Sequence, residues 1–86
     1  MTTADTPDLT SMPLSGIARL IRKNWAKVNF AAVPYLDAMS TLHSIADQYG
    51  YDDGKSIVRY FLANATSFRG ETAKVIKAEL NRRLKA

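Results

Sequence analysis

His43 is the only histidine in the chain and there is no cysteine. Acid–base or metal chemistry would have to be built from that one imidazole and a few scattered carboxylates. A serine or threonine nucleophile needs a neighbouring base, and His43 is the sole candidate. Asp52 and Asp53 are adjacent, which points them in different directions, and as caps of a following helix they need no catalytic explanation. The stretch 47–53 lacks the alternating oxygen ligands of a calcium loop and has no glycine at the sixth position from Asp47, and no glycine-rich phosphate-binding loop occurs. These residues predict a non-enzymatic protein with no catalytic residue, no metal and no cofactor, in which His43 is structural or solvated.

Binding chemistry is better supplied. Arg19, Arg22, Lys23 and Lys27 recur at near-helical spacing with no acid among them, and Lys74, Lys77, Arg82, Arg83 and Lys85 crowd the C-terminal quarter. Such faces follow phosphates or meet acidic protein surfaces, and a solvated helix face is the plain alternative. Tyr49, Tyr51 and Tyr60 bracket the longest turn; tyrosines gathered near a loop anchor protein interfaces or close one end of a small core. In HSIADQYGYDDGKSIVRYFLANA, Ala46 and Gly50 stand four apart before an apolar helix, as around the turn of a helix-turn-helix unit. Lys55, Ser56, Arg59 and Asn64 would then face a DNA groove. The turn over 50–54 is long for that motif, and Asp52 and Asp53 stand where phosphates would approach. An ordinary helical hairpin, with Gly50 closing the preceding helix, is the favoured reading.

The elements that must carry these groups are helical. Ser15 is a candidate N-cap, and Ile17, Leu20, Ile21, Trp25 and Val28 share one face of a first helix over 15–28. Pro34 suits the first turn of a second helix over 34–49, in which Tyr35, Ala38, Met39, Leu42, Ile45, Ala46 and Tyr49 keep helical spacing. Asp52 or Asp53 caps a third over 54–65, with Ile57, Val58, Phe61, Leu62 and Ala65 inward. Thr66 or Ser67 opens a fourth, with Phe68, Ala73, Ile76, Leu80 and Leu84 inward and Glu79 pairing with Arg82 and Arg83 on its exposed side. No segment alternates with period two. The expected fold is all-α: a bundle of three to four short helices over 13–86, with antiparallel neighbours, behind a disordered tail over 1–12 that is poor in apolar residues.

With 86 residues, 47% of them hydrophobic and 23% charged, the chain can bury one small core. The absence of cysteine fits a reducing, cytoplasmic setting, and neither a membrane-spanning run nor a secretory signal is visible. The net charge of +4 is unevenly divided. Residues 1–14 carry −2, 15–33 carry +4, 34–53 carry −4, and 54–86 carry +6 from eight cations less two acids.

The runs AAVPYLDAM and YGYDDGKSIVRYFLANATSFRGETAKVIKAEL resemble small uncharacterised helical proteins of phages and prophages of Gram-positive bacteria, actinobacteria included. The resemblance covers about residues 15–85 and brings no catalytic motif. It implies an accessory product of a phage genome, working in the host cytoplasm by binding a host or phage protein. A homodimer fits a domain this small, whose apolar surface a partner would cover. The alternative is a nucleic-acid binder that uses the basic first and fourth helices or the turn at Gly50.

Overall fold

Leu14, Ile17, Ala18 and Ile21 stand three and four residues apart, and their burial turns one face of helix α1 (Leu14–Asn24) toward the core. The computed structural model of the chain describes residues 9–85. A short 3-10 turn (Leu9–Ser11) precedes α1. A second 3-10 turn (Phe30–Ala32) leads into α2 (Val33–Met39), a two-residue strand β1 (Gln48–Tyr49) pairs with β2 (Asp52–Asp53), and α3 (Gly54–Ala63) and α4 (Glu71–Lys85) follow. Helix α1 packs on α2 and α4, and α3 packs on the same two.

Contacts between termini set the helix directions. Trp25, just past the end of α1, stacks on Phe68 ahead of α4 (5.1 Å between centroids) and meets Phe61 in the last turn of α3 edge-on (6.2 Å). Asn29, just before α2, donates from Nδ2 to the carbonyl of Asn64, the C-cap of α3 (2.9 Å). At the opposite end, Arg83 in the last turn of α4 reaches the residues that precede α1. The helices therefore alternate in direction around one core, the antiparallel arrangement expected of short connections.

The second helix is much shorter than its spacing predicts. Ser40 Oγ donates to the carbonyl of Asp37 (2.6 Å) and Thr41 Oγ1 to that of Ala38 (2.8 Å), side-chain bonds that compete with continuation of the helix. The carbonyls of Leu42 and His43, a few residues on, are taken by another element: Leu14 N–H donates to His43 O and Ser15 N–H to Leu42 O (2.9 Å each). These bonds satisfy the first two orphan donors of α1. Pro13, not Ser15, is the N-cap, and no side chain caps it. Helix α1 ends at Asn24 rather than 28, since the chain turns there to bury Trp25. Helix α4 begins at Glu71 rather than near Thr66: Phe68 must first fold back onto Trp25, and Gly70 O accepts the Lys74 N–H (3.0 Å).

Residues 1–8 of the expected tail lie outside the described residues. Its last part, 9–12, is packed. Leu9 is buried, and one Arg83 nitrogen donates to the carbonyls of Leu9 (2.6 Å) and Met12 (2.8 Å). Glu79 is only 7% exposed, not on the solvent side of α4. It binds Arg82 through two bonds (2.9 and 2.7 Å) and Arg83 Nε (2.6 Å). Those bonds, Arg82's first and Arg83's next, hold its carboxyl at about 2, against the opposing effect of burial. The Glu79 carboxylate thus orients the arginine that fastens the N-terminal turn.

Candidate functional site

The connection over 40–53, expected to be helix and turn, is a structured unit built on Asp47. Its carboxylate accepts the N–H groups of His43 and Ser44 (3.0 Å each), and its carbonyl accepts Gly54 N–H (2.7 Å). The Ser44 bond first and the His43 bond second hold this carboxyl below the usual range. Asp53 caps α3 by accepting Ser56 N–H (2.7 Å), which lowers its pKa in the same way. Between them Gln48 pairs with Asp53 and Tyr49 with Asp52, an antiparallel hairpin closed by Gly50 and Tyr51. Gly50 has φ +63° and no described non-glycine residue has a positive φ. That is the pattern of a type II′ turn, which takes glycine at its first central position. Gly50 thus takes a positive φ in a hairpin, and does not close a helix as its sequence context suggests.

Gly54 locks this unit to the body: a Cβ there would lie 2.6 Å from the Ile45 carbonyl oxygen. The hairpin projects from the bundle, with Tyr51 fully exposed and Tyr49 46% exposed. The third expected interface tyrosine is elsewhere. Tyr60 lies two turns into α3, its ring 5.4 Å from that of Tyr35 on α2. The helix-turn-helix reading of this segment fails on geometry, because α2 ends at Met39 and 14 residues separate it from α3. Ala46 and Gly50 therefore do not sit on a helix packed against the would-be recognition helix. His43 is exposed and outside any helix, and its hydrogen bonds to described residues run through its backbone.

The candidate cations divide into two groups. Arg22 pairs with Asp37 on α2, and Arg82 and Arg83 are drawn to Glu79. Arg19, Lys23, Lys27 and Lys74 are exposed, and Lys77 is half-buried with its Nζ 5.8 Å from the centroid of Phe68. None of these five forms an ion pair with a described residue. Through Phe68 and Trp25, Lys77 lies at the same end of the bundle as the last turn of α1, so part of the cationic groups of α1 and α4 converge. Arg19, nearer the start of α1, stands apart from that end.

Phe30, absent from the expected site residues, is 91% exposed. Asn29 fixes its turn: Oδ1 accepts Ala31 N–H (3.2 Å) while Nδ2 holds Asn64. The available signal was an asparagine, a good cap, five residues before Pro34. Among the described residues no three of His, Asp or Glu gather in a way that could hold a metal ion, and no helix is long and apolar enough to cross a membrane. No family model matches the chain, and no curated protein or solved structure matches it.

Proposed function

We propose that the chain is a small non-enzymatic module that binds a partner protein, with the hairpin Gln48–Asp53 as its principal contact. The observation that carries this reading is Tyr51, a fully exposed aromatic ring on a type II′ turn whose base is tied down by Asp47, Asp53 and Gly54. An aromatic side chain presented on a preorganised backbone loses little entropy when it enters a partner's pocket, which is why tyrosines dominate binding hot spots. The core does not need this ring: Trp25, Phe61 and Phe68 are buried without it. The resemblance to small phage proteins supports a host or phage protein as the target and the host cytoplasm as the setting.

The test is capture from a bacterial lysate with the wild-type chain and with the Tyr49→Ala, Tyr51→Ala double variant, both confirmed as folded by circular dichroism. The reading requires a protein retained by the wild type and lost with the variant. Identical retention by both would remove the hairpin as the contact.

A further inference from the structure

We infer that the end of the bundle carrying Phe30 is a binding site for single-stranded nucleic acid, a surface separate from the hairpin and independent of the protein-binding reading. Two connections meet at this end, over 25–32 and 64–70, joined by the Asn29–Asn64 hydrogen bond and the Trp25–Phe68 stack. Lys23, Lys27, Arg69, Lys74 and Lys77 stand on them or on the adjoining turns of α1 and α4, where Glu71 also lies and where Arg22 engages Asp37 of α2. None of the five cations forms an ion pair with a described residue. The acids Asp47, Asp52 and Asp53 are at the opposite end, with the hairpin.

The first of these connections also carries an aromatic ring that is open to solvent. Phe30 is 91% exposed, three residues from Lys27, on a turn that Asn29 holds in place. Tyr60, 52% exposed, is one helical turn before Asn64, and its ring leans on Tyr35. Open aromatic faces among uncompensated cations are what a single strand requires: bases stack on the rings while the cations follow the phosphates. A duplex hides its base faces and would use only the charges. An acidic protein segment would match the charge, and competition by a polyanionic peptide separates it from a strand.

The test uses a fluorescein-labelled oligo-dT of about 20 nucleotides and the full-length chain, followed by fluorescence anisotropy. At about 50 mM salt the dissociation constant is expected below about 10 μM. If three to five phosphates are neutralised, the logarithm of the association constant falls against that of salt with a slope of about −2 to −3.5. Phe30→Ala, at a side chain outside the core, weakens binding about tenfold. Lys27→Glu, which leaves the aromatic turn intact, weakens it by a similar factor, and Tyr51→Ala leaves it unchanged. The inference is overturned by a dissociation constant above about 100 μM. It is equally overturned if folded Phe30→Ala binds within about twofold of wild type or a duplex of the same length binds as tightly, since stacking would then contribute nothing. Displacement of the oligonucleotide by polyglutamate at equal charge would assign the site to an acidic protein instead. Failure here with a hairpin-dependent protein still captured leaves the protein-binding reading standing.

Discussion

Replacing Glu79 with glutamine should weaken the fold and flatten its acid sensitivity. The carboxyl is moved from 4.5 in an unstructured chain to about 2 in the folded state by Arg82 and Arg83. Because its folded pKa is depressed, its contribution is complete above about pH 5 and is lost as the pH falls toward 2. The displacement corresponds to about 3 kcal/mol by linkage, and screening by solvent around Arg82, whose side chain is 57% exposed, reduces this to about 1–2 kcal/mol. Urea unfolding at pH 7 and pH 3 measures both effects. The wild type should lose about 1 kcal/mol more than Glu79→Gln between these pH values, the remainder going below pH 3, while acids elsewhere contribute equally to both proteins and cancel. Amide exchange at Met12 should also quicken in the variant, because Arg83 loses the carboxylate that aims it at the Leu9 and Met12 carbonyls. Equal pH dependence in the two proteins would refute the assignment of this triad as the fastener of the N-terminal turn.

Gly54→Ala should destabilise by about 2 kcal/mol or more in thermal unfolding, because its Cβ would meet the Ile45 backbone; in a helix free of that contact the same change would stabilise. Leu9→Ala should cost about 2 kcal/mol, lowering Tm by about 8–16 °C, whereas no change would return residues 9–12 to the tail. Phe61→Ala, in contact with Trp25, should cost about 3–5 kcal/mol and alter tryptophan fluorescence. Asp47→Ala should expose the His43 and Ser44 amides to faster hydrogen exchange; unchanged protection there would show that the 40–47 segment is held by something else.

Periodicity read the inward faces well wherever a helix formed. Ile17 and Ile21, Ile57 and Phe61, and Ile76 and Leu80 are all buried as their spacing requires, and so is Leu42 although it lies outside a helix. The second helix is shorter than its spacing suggests because Ile45 and Tyr49 continue the spacing of Ala38 and Leu42 by coincidence, and the buried Leu36 lies outside that pattern. The interruption is due to Ser40 and Thr41 turning back on the preceding carbonyls and to α1 taking those of Leu42 and His43. The α1 bonds are long-range, so no local pattern announces them. Leu9 escapes a local reading for the same reason: the Arg83 that binds its carbonyl lies 74 residues away in sequence. The two-residue strands are too short to alternate, and the one local cue to the hairpin is Gly50, since a type II′ turn takes glycine at its first central position. The tyrosines of the hairpin were therefore legible as a group near a glycine, whereas Phe30, in what reads as a plain linker, was not.

Proximity labelling from the tip of the hairpin asks whether it meets a protein. With a photoreactive benzoylphenylalanine in place of Tyr51, irradiation in lysate should give one discrete cross-linked product that excess wild-type chain suppresses. The same group in place of exposed Lys85, in the last turn of α4, should not give that product. No product from position 51, or the same products from both positions, would contradict the account.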